Sequence, residues 1–172
     1  MYLQDIERSS SDDQGDSQQY LTFMLNGEEY GVEILRVQGI QGWDSVTPIP
    51  NSPEYVLGVM NLRGEIVPII DLRKRFAMDT IPYGPTTVIV VVRVEGSDRT
   101  RTLGMVVDGV SEVYRIDNDE VQAMPEMGRQ LRQEFVKGLS TVDDKMLILL
   151  DVDCLLSVDD IAKDSHKLAA SA

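Results

Sequence analysis

From Tyr20 onward the chain alternates apolar and polar positions in short blocks. Residues 20–25 read as a strand that meets Asn26-Gly27, a two-residue hairpin signal, and residues 29–33 resume the alternation beyond it. Residues 37–43 predict a third strand, in which Gly39 and Gly42 mark a bend or bulge. Pro48, Pro50 and Pro53 punctuate a loop that cannot be sheet interior. Residues 56–62 and 65–70 then flank a turn at Arg63-Gly64, and Pro68 assigns the second of these strands to a sheet edge. Residues 71–76 predict one short helical turn with Asp71 as its cap.

Pro82, Gly84 and Pro85 make residues 79–86 the best internal boundary. A second strand series follows at 86–94, 102–107, 110–115 and 121–124. A polar stretch at 125–134 separates these from a last pair, 135–142 and 145–151, around a turn at Asp143-Asp144. The nearly unbroken apolar run at 88–94 predicts a strand buried on both faces. Short, regularly broken strands with few helical windows predict a mainly β protein of two small five-stranded barrels packed together. The first barrel is expected at about 20–83 and the second at about 84–151, with the final strands free to cross over. Residues 1–19 predict an acidic tail too polar to order itself. Residues 158–172 predict a weak C-terminal helix or tail, with Val158, Ile161, Ala162 and Leu168 on one side.

Composition sharpens this picture. Twenty valines and twelve isoleucines in 172 residues are the β-branched enrichment a pleated surface favours. The net charge is −13, of which −4 lies in residues 1–19, −8 in 20–156 and −1 beyond, so the folded part is acidic in its own right. Such a surface repels nucleic-acid phosphate and anionic membranes, and Arg73-Lys74-Arg75 is its only basic cluster. One cysteine excludes an internal disulfide and points to a reducing, cytoplasmic setting. No apolar run approaches the ~20 residues of a membrane helix.

Candidate chemistry is sparse. His166 is the only histidine and sits in the weak terminal helix, and Cys154 reads as a small buried apolar residue. One His and one Cys make neither a nucleophilic pair nor a zinc site, and no glycine-rich phosphate loop occurs. Asp117-Asn118-Asp119 opens like a calcium loop, but Val121 stands where a third ligand belongs and no glycine follows at the sixth position. The paired aspartates at 143–144 and 159–160 suit turns better than acid–base work. The expectation is a protein without enzymatic activity, metal or cofactor. Arg63 stands out because a tight turn between two apolar strands holds its guanidinium where a partner can reach it.

The hairpin Asn61-Leu62-Arg63-Gly64, with Pro68 and Asp71-Leu72 after it, resembles the CheW family of bacterial chemotaxis coupling proteins. The segments Glu29-Tyr30-Gly31-Val32-Glu33, Val106-Val107-Asp108-Gly109-Val110, Lys137-Gly138-Leu139 and Met146-Leu147-Ile148-Leu149-Leu150-Asp151 agree in order and spacing, from about Tyr20 to Ser157. The resemblance implies two five-stranded Src-homology-3-like barrels and a non-enzymatic adaptor. It implies coupling of the cytoplasmic tip of chemoreceptors to the regulatory domain of the histidine kinase CheA, with other CheW copies as further ring partners. The protein would be cytoplasmic, recruited to receptor arrays at the inner face of the membrane. Carried over by position, the receptor would meet Val37, Ile40, Arg63, Val110 and Val113 in a groove between the barrels. The kinase would meet Val46, Ile49 and Met127. A CheW-like scaffold serving another pathway, twitching motility or second-messenger signalling, is the first alternative, and a small-ligand-binding or hydrolytic β-barrel the second. Many family members carry a glutamate where this chain has Gly39, so Arg63 must pair elsewhere (Glu33 or Glu65, or a receptor carboxylate) or stay hydrated.

Overall fold

A computed structural model describes residues 16–97, 99–125, 133–157 and 161. In chain order the elements are β1 (Ser17–Leu25), β2 (Glu28–Glu33), a 3-10 turn (Ile34–Arg36), β3 (Val37–Gly42), β4 (Val56–Leu62), β5 (Glu65–Asp71) and the one-turn helix α1 (Leu72–Arg75). The second half contributes β6 (Val88–Glu95), β7 (Thr100–Val107), β8 (Gly109–Asp117), β9 (Val136–Val142), β10 (Lys145–Leu150) and the one-turn helix α2 (Val152–Leu155). Three of the four hairpins close on two-residue turns. Asn26-Gly27, Arg63-Gly64 and Asp143-Asp144 all have positive φ at both positions, as the tight hairpin turn requires. Asp71 and Asp151 cap α1 and α2, each accepting from two backbone amides of the first turn.

The strands form two five-stranded sheets, in the orders β8-β1-β2-β10-β9 and β3-β6-β7-β5-β4. Each sheet draws strands from both sides of residue 84, so the expected division into consecutive barrels does not describe the pairing. The cause is a pair of crossovers: the chain leaves the first sheet after β2, builds the whole second sheet, and returns after β7. The 79–86 loop joins α1 to β6 inside one sheet. Pro68 also departs from expectation, since β5 has a neighbour on each side; its parallel pairing with β7 begins only at Ile69, leaving Pro68 just past that ladder. Residues 121–124 form no strand, only a single bridge at Gln122. Conversely β1 starts at Ser17, inside the expected tail, because Ser17–Gln19 pair with Asp117–Arg115 of β8. The remaining tail positions 1–15, and most of the expected C-terminal helix with His166, lie outside the described residues.

The two sheets are copies of one plan. Each has a hairpin (β1–β2, β6–β7), an added edge strand (β8, β3), a second hairpin (β9–β10, β4–β5) joined in parallel to the first, and a capped helical turn. A single bridge, Gln122 to Leu139 or Thr47 to Val59, joins the two edges of each sheet and closes it into a barrel. Both closures depend on a missing side chain. A Cβ at Gly58 (φ +147°) would lie 2.0 Å from the Thr47 carbonyl oxygen, and one at Gly138 would lie 2.4 Å from Val121 Cγ1.

Alternation then builds three cores. Met60, Val67, Ile69, Ile89, Val91 and Val106 fill the second barrel. Tyr20, Ile116, Leu147 and Leu149 fill the first. The opposite faces of the same strands meet between the barrels, with Leu21, Phe23 and Val32 from one against Val90, Val92 and Met105 from the other. The run at 88–94 is thus buried on both faces, as its composition predicts. Arg75 adds a polar tie, its guanidinium between the rings of Tyr55 (4.6 Å) and Phe135 (4.7 Å) while Nε donates to the Leu155 carbonyl at 3.0 Å. Cys154 is exposed rather than buried, because α2 turns Val152 and Leu155 inward.

Candidate functional site

The edge strands β3 and β8 carry four of the expected site residues, and a bulge in each decides where they point. In β8, Val110 and Val113 stand opposite Phe23 and Leu21 of β1. Leu21 and Phe23 are two apart and share the face toward the inter-barrel core. The valines are three apart, so the extra residue in β8 brings both to that same face. In β3, Val37 and Ile40 stand opposite Val92 and Val90, again three residues against two, and again on the inter-barrel face. Hydrogen bonds at 2.9 and 3.0 Å between Thr22 Oγ1 and the backbone of Glu112 hold the β8 bulge. Val37 and Val110 pack half-buried against the inter-barrel core, whereas Ile40 and Val113 stay 52% and 49% exposed. Each edge strand thus presents one anchored and one free apolar side chain.

Arg63 heads the β4–β5 hairpin. Its positive φ of 54° is matched by Gly64, whose amide donates to Asn61 Oδ1 at 2.8 Å. Beside the hairpin lies a depression of about 390 Å³, lined by Gln38, Ile40, Asn61 and Arg63 over a floor that includes Val67 and Val91. Ile40 and Arg63 therefore share a site, while Val37 and Val110 pack on the inter-barrel core and Val113 stays exposed. Glu33, one of the suggested partners of Arg63, is engaged by Lys137 instead. Among the described residues Arg63 makes no ion pair.

The segment between β3 and β4 carries the expected kinase contacts. Val46 spends part of its surface on the core of the second barrel, beside Trp43 and Tyr83, whose rings stack at 4.2 Å. The Tyr83 hydroxyl donates to Asp71, and burial together with that carboxylate pushes the phenol well above its ordinary range. Ile49 is exposed, and Ser52 Oγ donates to its carbonyl at 2.9 Å. Met127 lies outside the described residues.

Outside the expected set, Ile66 and Met146 are 61% and 59% exposed and stand at equivalent positions after the Arg63-Gly64 and Asp143-Asp144 turns. Period-two alternation with the buried Val67 and Leu147 was the available signal. For a metal, the described residues offer three exposed carboxylates, Asp117, Asp119 and Glu120, whose oxygens lie within 4.8 Å of one another. Val121 and the missing glycine keep this from being a calcium loop.

Comparison with known proteins completes this geometry. The family described as CheW-like domain matches residues 19–160. The chain belongs to the CheW family. The Klebsiella aerogenes chemotaxis protein CheW is 44% identical over 145 residues, covering 84% of this chain and 85% of that protein. The Treponema pallidum CheW is 36% identical, covering 88% of this chain and 86% of its own length. Among solved structures, the scaffolding protein TtCheW from Thermoanaerobacter tengcongensis superposes with a TM-score of 0.73 at 34% identity, covering 83% of this chain and 89% of that one. The two barrels are thus the Src-homology-3-like pair of a CheW protein. The chain is a chemotaxis scaffold of an adaptor family rather than an enzyme. Among the described residues no helix is long and apolar enough to cross a membrane.

Proposed function

We propose that this CheW protein couples the cytoplasmic tip of chemoreceptors to the regulatory domain of the histidine kinase CheA, within arrays on the inner face of the membrane. The receptor hairpin docks on Val37, Ile40, Val110 and Val113, with Arg63 pairing to it from the adjoining depression. Val46, Ile49 and Met127 meet the kinase, and further CheW copies extend the ring. One observation carries this reading: the bulge in each edge strand turns its apolar pair toward the inter-barrel core and leaves Ile40 and Val113 half exposed. Apolar anchors on a rigid surface are how helices are held, and covering a valine or isoleucine supplies ~1.5–3 kcal/mol.

Nucleic acid is a poor fit. Of the only basic cluster, Arg73 is bonded to Asp108 and Arg75 is packed between two rings, which leaves Lys74 alone. The test mixes this protein with CheA and a receptor cytoplasmic fragment and follows kinase autophosphorylation. Stimulation that requires the protein, and that folded Val37→Glu and Arg63→Ala variants lose, is the expected result. Kinase binding without stimulation would move the protein to another pathway.

A further inference from the structure

The chain crosses between barrels twice, and an arginine–aspartate fork stands at each crossing. After β2, Arg36 sets its guanidinium on Asp153 of α2, with NH1 and NH2 at 3.2 and 2.7 Å from the two carboxylate oxygens. After β7, Asp108 takes the guanidinium of Arg73 of α1, with Nε and NH2 at 2.9 and 2.6 Å. The helix positions are equivalent, two residues after the capping Asp151 and Asp71, but the charges are reversed. In one barrel the helix supplies the acid and the crossing the base; in the other the helix supplies the base and the crossing the acid.

The equivalence extends to a third group. In each fork the carboxylate also accepts a backbone amide from the end of the other barrel's first hairpin: Glu95 N–H to Asp153 at 2.8 Å, and Asn26 N–H to Asp108 at 2.9 Å. Each fork therefore ties a helix, a crossing and the opposite barrel together. Both are partly buried, the side chains exposing between 10% and 30% of their surface, so they are screened less than open surface pairs. Their place along the chain matters most. Arg36 immediately precedes Val37, and Asp108 precedes Gly109-Val110, so each fork fixes the start of one bulged edge strand.

We propose that Arg36–Asp153 and Arg73–Asp108 are positioning residues that hold the first residues of β3 and β8 against the inter-barrel core, and so preset the face on which the receptor docks. The positioning stands on the geometry; the consequence for docking rests on the function proposed above. A docking face populated only part of the time binds in proportion to that fraction.

The mirrored charges supply an unusual test, because the fold already accepts either polarity. Arg36→Asp sets a third carboxylate beside Asp153 and Glu95. It is expected to speed amide exchange at residues 37–40 by about tenfold while β7 stays protected, and to weaken binding of a receptor-tip fragment by about tenfold. Adding Asp153→Arg rebuilds the Arg73–Asp108 arrangement, with position 36 now accepting from Glu95, and should return both quantities to near wild type. If Arg36→Asp does not fold, Arg36→Gln asks the same question. A swapped pair no better than either single change, or single changes that leave exchange at 37–40 untouched, overturns the proposal. If exchange responds and is rescued while neither these variants nor Val37→Glu alters fragment binding, the positioning stands and the docking assignment falls. If Val37→Glu abolishes binding but the fork variants do not alter it, the docking assignment stands and the positioning role in it falls.

Discussion

Asp108 shows how one side chain connects local chemistry to the assembly of two barrels. Burial by itself would raise its pKa, but the Arg73 fork and the Asn26 amide outweigh that and hold the carboxyl below the ordinary range. A carboxyl depressed in the folded state contributes stability above its unfolded pKa of about 3.9, and that contribution is lost as pH falls through the folded value. Asp108→Asn is therefore expected to cost roughly 1.5–3 kcal/mol at neutral pH, the scale of hydrogen bonds to charged groups. Acid unfolding followed by circular dichroism should show the gap to wild type closing below the carboxylate range. An unchanged neutral-pH stability with the same acid profile would mean the fork contributes nothing. Arg63 is the opposite case. It has no ion pair among the described residues, and Arg63→Ala should leave stability near wild type.

At the scale of elements, the turns were the most legible feature of the sequence, because positive φ has few residue solutions. Asn26-Gly27 and Arg63-Gly64 each place glycine second, and Asp143-Asp144 uses aspartate twice, at φ of 51° and 62°. Aspartate tolerates that region better than most residues, but glycine adopts it freely. Asp144→Gly should therefore raise the melting temperature, by a free energy on the order of 0.5–1 kcal/mol; a lowered melting temperature would show that Asp144 makes a contact that outweighs the backbone strain. The bulge in β3 was also legible, through Gly39. The matching bulge in β8 was not, because Ser111 and Glu112 carry no backbone signature and the evidence for it lies in the pairing with β1.

At the scale of the molecule, composition and strand length were enough for two barrels but not for which strands build each. Hairpin signals act over a few residues, whereas the pairing of β2 with β10 and of β5 with β7 spans long stretches of chain and is chosen by packing. The internal duplication was hidden for a related reason. Residues 55–76 and 135–156 align without a gap, yet only Val56/Val136, Gly58/Gly138 and Asp71/Asp151 are identical, and elsewhere mostly only the apolar character is kept. Tyr55 and Phe135 are equivalent positions in this alignment, and Arg75 lies between their rings at the join of the two copies. What the duplication produces is a pair of bulged edges on a shared core, backed by forks of opposite polarity. One spectrum tests this account most directly: the amide spectrum of the isotope-labelled protein with and without a receptor-tip helical hairpin. The account predicts shifts concentrated at residues 37–40, 61–65 and 110–113. Shifts confined to other surfaces, with these three segments unmoved, would contradict it.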